Sequence, residues 1–318
     1  MEKDKKLYRV TKKEKGLFKC GHCLFTTDSR GKMLQHHNPS SPFYCKKRRK
    51  DYEKPRVKGN LNVIYLAAGV CQRLRPLTYK TNKCLVQIGE KTLIEHFLDG
   101  IAEWPDIAGV HIVIGHCAEQ IKKKIGSRYK GISIKYLYNP FYSVTGAAQS
   151  LWLAKDVFNK NKCLIVEGDH FMDKRLLQKL AGSPYENCLL VDDSEELEFA
   201  EETIVIGAGG IVNKLAWDSS GNLGYIKSDI PKPLIIGEAV FVIKLGKDAS
   251  RVFSAELEQY LLEEGPSKKE IPEVLNRTFK ICDTQYISTE GLPWIEIDFP
   301  KDLDRARNEI YPRIFNKK

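Results

Sequence analysis

No apolar run in this 318-residue chain approaches the roughly 20 residues needed to cross a bilayer. The charged start, Met-Glu-Lys-Asp-Lys-Lys, is not followed by an apolar segment, so no secretory signal is expected and a cytoplasmic protein is. Low-complexity tracts are also missing. With 42% hydrophobic and 29% charged residues the composition is that of a folded globular protein, which excludes a disordered or fibrous class. Acidic residues are scarce in one place only. Residues 1–58 hold 18 Lys/Arg against 6 Asp/Glu, whereas 59–318 hold 33 against 35. That asymmetry predicts a basic N-terminal module over 1–58 and a nearly neutral body over 59–318.

Nine cysteines are present. Six of them, Cys71, Cys84, Cys117, Cys163, Cys188 and Cys282, stand singly in apolar or loop contexts and are expected to be reduced, buried thiols acting as small hydrophobes. The other three crowd near the N-terminus. Cys20 and Cys23 have knuckle spacing, and His36 follows after twelve residues, with Phe18, Phe25 and Met33 as a minimal core. Up to His36 this resembles a C2H2-type zinc finger. It departs there, because His37 adjoins His36 and cannot easily share its ion, so Cys45 is the candidate fourth ligand of a structural Zn²⁺. The alternative is a reduced cysteine pair in a flexible basic arm. The run Lys46–Lys50 suits phosphate binding, a nuclear address or a solvated face, which leaves a nucleic-acid or protein partner of this module open.

In the body, residues 62–67 predict a buried strand that runs into a small-residue loop, Ala68-Gly69-Val70-Cys71-Gln72, followed by Arg73. Such a loop exposes N–H groups to phosphates, and Arg73 adds a fixed positive fork. Lys83 lies close enough for the loop to fold back and aim its ammonium at an α-phosphate. Helices over 93–102 and 118–125 alternate with strands over 110–114 and 132–138. The alternation predicts an α/β, Rossmann-like, mostly parallel sheet with helices on both faces, with a β-rich insertion over 186–243. Cys163–Asp169 reads as a buried strand ending in acid, which aims Asp169 into the crevice where such sheets bind ligands. Glu296 and Asp298 stand two apart on a C-terminal strand, on one face. A second glycine-rich stretch, Val205–Ile211, continues as strand and turn and does not suit a dinucleotide.

The stretch Leu-Ala-Ala-Gly-x-x-x-Arg-Leu-x-Pro-Leu-Thr from Leu66, with Lys83-x-Leu-Val and then Gly89-Glu-Lys-Thr-Leu-Ile-Glu-His, resembles the sugar-1-phosphate nucleotidyltransferase superfamily. Within it the chain is most similar to phosphocholine and phosphonate cytidylyltransferases, over most of 60–310. The resemblance implies transfer of CMP from CTP to a small phosphate or phosphonate acceptor such as phosphocholine or 2-aminoethylphosphonate. It implies nucleotide contacts from Leu66, Ala67, Ala68, Gly69, Val70, Cys71, Gln72, Arg73, Lys83, Gly146, Ala147 and Ser150. It also implies a Mg²⁺ held by Asp169 and Asp298. Two positions depart from the family pattern: Cys71 replaces a glycine, and Asn82 replaces a proline. Cys71 is expected to keep a negative φ and still offer its N–H, and the loss of proline to loosen the chain near Lys83. Acceptor contacts are assigned to Asp192, Glu238 and Glu296, with Asp193, Trp217 and Trp294 near them. His170 reads equally as a support for Asp169 or as an ordinary loop histidine. The alternatives are a sugar- or inositol-phosphate nucleotidyltransferase, or a zinc-finger nucleic-acid-binding protein with a non-catalytic nucleotide-binding fold.

Overall fold

The computed structural model describes residues 11–14, 17–19, 26–27, 59–194, 203–217, 234–266 and 271–316. The chain divides into two compact units, Met1–Pro55 and Arg56–Lys318. In the first, strands β1 (Thr11–Glu14), β2 (Leu17–Lys19) and β3 (Thr26–Thr27) form an antiparallel sheet. The expected zinc ligands Cys20, Cys23, His36 and Cys45, and the run 46–50, lie outside the described residues.

The larger unit is built on β4 (Leu61–Ala67), which is apolar almost throughout because it is covered on both faces. β5 (Gln87–Ile88) and β6 (Lys91–Thr92) form a short hairpin leading into α1 (Leu93–Ile101). Thr92 and Glu95 close a capping box there, the Thr92 N–H donating to Glu95 Oε2 at 2.9 Å. β7 (Ile107–Ile114) pairs parallel with β4, α2 spans Ala118–Ile125, and β8 (Arg128–Tyr129) precedes β9 (Ile132–Tyr138), which runs parallel to β7. After α3 (Ala147–Trp152) and α4 (Lys155–Phe158), β10 (Lys162–Glu167) returns parallel to β4 on its other side. Two apolar clusters sandwich this sheet. One joins Phe97, Ile101, Trp104, Leu176 and Leu180 to the inner strands; the other joins Leu151, Phe158, Phe253, Leu257 and Val274.

The expectation of a mostly parallel sheet holds only for these inner strands, β9, β7, β4 and β10. The rest is mixed. β11 (His170–Met172) leads to α5 (Lys174–Gly182), and then come β12 (Cys188–Asp192), β13 (Ile204–Ala208), β14 (Ile211–Ala216) and the long β15 (Ile235–Leu245). β15 lies antiparallel to β10 through residues 242–245 and to β12 along its other edge, while its first residues pair with β13. β13 turns into β14 at Gly209 and Gly210, whose φ values of 61° and 85° are those of a tight hairpin. After α6 (Lys247–Glu264) and α7 (Ile271–Phe279), β16 (Gln285–Ser288) joins β14 to β12. The strands β15, β13, β14, β16 and β12 therefore close into a ring. Short hairpins impose antiparallel pairing, since a parallel return needs a crossover. Strand β17 (Trp294–Glu296), helix α8 (Pro300–Arg305), a π-helical turn (Ala306–Ile310) and α9 (Tyr311–Phe315) end the described chain. No helix among the described residues is long and apolar enough to cross a membrane.

Of the six isolated cysteines, Cys84, Cys163 and Cys188 are buried as expected, but Cys71, Cys117 and Cys282 are only half-buried; all six are free thiols. One histidine makes the core sensitive to acid. His111 on β7 is buried, its Nε2 3.2 Å from Asn62 Oδ1, and Lys135 stands opposite it on β9. Burial, helped by the Lys135 charge, lowers its pKa to about 4. The folded state therefore keeps His111 neutral while the unfolded chain takes a proton below about pH 6.5. The resulting stabilisation is complete above pH 6.5 and is lost as pH falls towards 4. Urea unfolding of wild type and His111→Gln between pH 7.5 and 4.5 is expected to show wild type losing about 2 kcal/mol more than the variant. Parallel losses would remove His111 as the cause.

Candidate active site

After β4 the chain makes two short 3₁₀ turns, Gln72–Leu74 and Leu77–Tyr79, before reaching Lys83. Polar contacts stitch this loop shut. Thr78 Oγ1 donates to the Cys71 carbonyl at 2.7 Å. Asn82, 2% exposed, donates through Nδ2 to the carbonyls of Ala67 (2.9 Å) and His116 (3.1 Å), while its Oδ1 accepts from the Cys84 N–H at 3.0 Å. With both sides of Asn82 anchored, Lys83 points inward.

Asp169 stands just past the end of β10, beside the end of β4. Gly168 allows that approach, because a Cβ there would meet the Leu66 carbonyl oxygen at 2.2 Å. Asp298 arrives from the other end of the chain. β17 pairs antiparallel with β11, the Ile297 N–H donates to the Asp169 carbonyl at 3.1 Å, and Asp302 Oδ2 accepts from the N–H groups of Asp298 (3.1 Å) and Phe299 (2.7 Å). The Lys83 ammonium thus lies 2.7 Å from Asp298 Oδ1 and 3.2 Å from Asp169 Oδ2, with only 8% of its side chain exposed. Arg73 completes the group with an ion pair to Asp298, its guanidinium 5.1 Å from the centre of the Phe299 ring.

These groups form one wall of a cleft of about 480 Å³. Its floor is the loop backbone from Leu66 to Arg73, and its opposite wall is the Thr145–Ala147 turn with Ser150 at the start of α3. Ser150 is held from behind by Asn139, whose Nδ2 lies 3.1 Å from both Ser150 Oγ and Thr145 Oγ1. Charge inside the cleft is unevenly balanced. Burial would raise Asp169, but Lys83 and His170 hold it well below the usual carboxylate range. Burial would discharge Lys83, yet the two aspartates keep its pKa raised. Glu296 has less support: burial and the Asp169 charge push it up to about 8. His170 is also raised; burial would lower it, but the Asp169 carboxylate 3.1 Å away and the nearby glutamates raise it to about 9. Burial also pushes the Cys71 thiol up against the pull of Lys83, so it is protonated near neutral pH and makes a poor nucleophile.

Carboxylate oxygens of Glu167, Asp169 and Glu296 lie within 4.8 Å of one another. An all-oxygen donor set of this kind fits a hard divalent cation such as Mg²⁺. The arrangement offers backbone amides and an arginine for a polyphosphate, a lysine between two carboxylates, and carboxylate oxygens for a cation.

A family model described as nucleotidyl transferase matches residues 62–187. The choline-phosphate cytidylyltransferase of Streptococcus pneumoniae is 30% identical over 193 residues, 57% of this chain and 80% of that relative. This chain belongs to the nucleotidyl transferase family. The CMP-5'-(3-aminopropyl)phosphonate synthase of Streptomyces rubellomurinus is 29% identical over 124 residues, which span 39% of this chain but only 19% of the relative. Among solved structures, the CTP:phosphocholine cytidylyltransferase of S. pneumoniae shares the fold, with a TM-score of 0.58 and 19% identity over 78% of this chain and 98% of that one.

Placed on this nucleotidyltransferase, the twelve expected nucleotide contacts all line the cleft, as do Asp169, Asp298 and Glu296. Asp192 and Glu238 do not. They face each other across β12 and β15, and Asp192 instead accepts from Trp294 Nε1 (2.7 Å) and Thr289 Oγ1 (3.1 Å). Trp217 follows the end of β14, and Asp193 Oδ1 accepts from Ser288 Oγ at 2.6 Å. Three local expectations are corrected. Cys71 has φ 50° and ψ 56°, so its backbone is left-handed and not at the expected negative φ, at a cost of about 1–2 kcal/mol. Asn82 tightens rather than loosens the loop, because its amide makes the contacts described above. β17 ends at Glu296, which leaves Asp298 in the following turn and not on the strand face. Glu167 was missed; the acidic end of its strand, Glu-Gly-Asp, was the available signal. Replacing Asn82 by Ala leaves two buried carbonyls and one N–H without their partner, a loss of about 2–3 kcal/mol. Thermal melts of Asn82→Ala are expected to fall by about 5 °C or more, and an unchanged midpoint would show the clamp to be dispensable.

Proposed function

We propose that this nucleotidyltransferase is a magnesium-dependent cytidylyltransferase that joins CMP from CTP to a small phosphate or phosphonate acceptor such as phosphocholine or 2-aminoethylphosphonate. The observation that carries the reading is the contact of one buried ammonium, Lys83, with carboxylates 86 and 215 residues away, beside a phosphate-cradling loop. The names of the two curated relatives support cytidylyl transfer and an amino-alcohol or aminoalkyl phosphonate acceptor.

The acceptor is a monoester already largely ionised at neutral pH, its second pKa being about 6, so it needs no general base. Its oxygen attacks the α-phosphorus in line. A new P–O bond forms as the bond to the β-phosphate bridge breaks, and pyrophosphate leaves with the electron pair. Amides of the Ala68–Gln72 loop hold the departing phosphates. Arg73, whose side chain is half exposed, turns from Asp298 to join them, and Lys83 neutralises the α-phosphoryl oxygens. The Thr145–Ala147 turn packs against the base, where small side chains permit close approach. Asp169 and Asp298 would hold Mg²⁺, with Glu167 and Glu296 beside them, and the ion would supply further charge neutralisation at the α-phosphate. Of the three residues proposed for acceptor contact, Glu296 is the one that lines the cleft. The N-terminal module is proposed to carry one structural zinc on Cys20, Cys23, His36 and Cys45.

Pyrophosphate release, measured for each NTP against a panel of phosphocholine, 2-aminoethylphosphonate and sugar or inositol phosphates, tests the reading. CTP with an amino-alcohol phosphate or aminoalkyl phosphonate is expected to dominate. Asp169→Asn and Lys83→Met are expected to lower kcat by about 10²–10³. Full activity in Asp169→Asn, or preference for a sugar phosphate, would refute the corresponding part. Metal analysis of the purified chain is expected to find one zinc that disappears when residues 1–58 are deleted, with turnover unchanged.

A further inference from the structure

Asn139, 1% exposed, stands just past β9, where its backbone N–H donates to the Ile114 carbonyl at 2.9 Å. Its side-chain oxygen accepts from the Phe141 N–H at 2.9 Å, and a backbone donor there fixes which end of the amide is oxygen. The amide nitrogen therefore directs its two hydrogens to Thr145 Oγ1 and Ser150 Oγ, each at 3.1 Å. Thr145 passes its own proton to the Phe141 carbonyl at 2.9 Å. Ser150 differs. Among the described residues its Oγ accepts from Asn139 and donates to no protein acceptor, although the residue is only 6% exposed and lines the cleft.

Water can take that proton while the cleft is open. A ring that packs on the Thr145–Ala147 turn displaces the water, and a dry donor then needs an acceptor on the ring. Cytosine and uracil differ at two positions of the edge a hydroxyl can test. Ring N3 is a bare acceptor in cytosine and carries a hydrogen in uracil; at position 4 cytosine has an amino group and uracil a carbonyl. O2 accepts in both. With CTP as the nucleotide, position 4 offers only hydrogens, so the Ser150 proton goes to N3 or O2, and only N3 separates the two bases. A site built to pair with one such atom rejects the base that lacks it.

We infer that Ser150 determines nucleotide specificity, selecting cytosine over uracil by donating its Oγ–H to ring N3, and that Asn139 is the positioning residue that keeps this proton turned to the cleft. Asn139 does so by occupying Ser150 Oγ with a hydrogen of its own, so the hydroxyl cannot donate backwards. The inference rests on the reading that CTP is the nucleotide and that the 145–147 turn packs against its base.

The test is calorimetric binding of CTP, UTP and 3-deaza-CTP, in which C–H replaces ring N3, to the full-length protein in Mg²⁺. No acceptor is needed. Wild type is expected to bind CTP about three- to tenfold more tightly than 3-deaza-CTP, the loss of one neutral hydrogen bond, and UTP no better than 3-deaza-CTP. Ser150→Ala is expected to weaken CTP by a similar factor and to bind CTP and 3-deaza-CTP within about twofold of each other. Asn139→Asp keeps an acceptor for the Phe141 N–H but draws the Ser150 proton back to a carboxylate, so its preference for CTP over UTP and 3-deaza-CTP is expected to collapse. If that buried carboxylate prevents folding, the Ser150→Ala measurements decide alone. Ser150→Ala keeping the wild-type preference for CTP over 3-deaza-CTP overturns the inference, as does a wild type without that preference; tight CTP binding then leaves the cytidylyl reading standing. Equal losses of CTP and UTP in Ser150→Ala move the hydroxyl to O2 and overturn it too. Preference of wild type for another NTP overturns the cytidylyl reading and this inference together.

Discussion

A lysine ammonium withdrawn almost wholly from water can remain charged only when its partners repay the lost hydration. Here the partners are two carboxylates, 86 and 215 residues further along the chain. Lys83 follows the loop after β4, Asp169 stands just past the end of β10, and Asp298 lies just before helix α8. Loss of Lys83 leaves two carboxylates facing each other in a partly dry place, and loss of either carboxylate removes one of the two partners of the ammonium. The pairing therefore ties folding to chemistry: the loop, the strand end and the helix start must all be seated before the charges balance. The same three groups are what a phosphoryl-transfer site needs, since a charge-rich transition state asks for fixed countercharge more than for a nucleophilic side chain.

The register of the inner sheet makes this meeting possible. β4 and β10 run parallel with Leu66 opposite Glu167, so both chains emerge at the same edge, one as the phosphate loop and the other as Asp169. Gly168 removes the side chain that would separate them. Past β10 the sheet changes character, and antiparallel pairing of β15 lets five strands close into a ring. The two halves have separate consequences. The parallel half supplies the loop after β4 and the end of β10 that line the cleft. The ring brings Asp192 to Trp294, whose Nε1 donates to Asp192 Oδ2 at 2.7 Å.

The phosphate loop also shows how a chain absorbs departures from a family pattern. At Cys71 a non-glycine residue takes a left-handed backbone, with Thr78 bonded to the Cys71 carbonyl to hold the turn. At Asn82 rigidity is kept by different means. Proline restrains through its ring, whereas a buried amide restrains through hydrogen bonds to Ala67, His116 and Cys84. Both solutions leave Lys83 in the cleft.

Much of this could be read from the chain itself. β4, α1, β7, α2, β9 and β10 follow from apolar periodicity and caps, and the phosphate loop, Lys83 and Asp169 follow from residue type and position. These are local signals, because each depends on neighbours within a few turns. The chain alone did not reveal the closed ring of mixed pairing, which is set by which strand edges remain unpaired once the inner sheet has formed. Nor did it reveal that Asp192 braces Trp294, that Glu167 joins the carboxylate cluster, or that Asn82 clamps the loop. Each of these rests on contacts between segments far apart in sequence, and periodicity carries no record of such contacts. Residue types alone determined the kind of chemistry available; the charges that balance one another, and the donors that hold them there, were decided only when the strands came together.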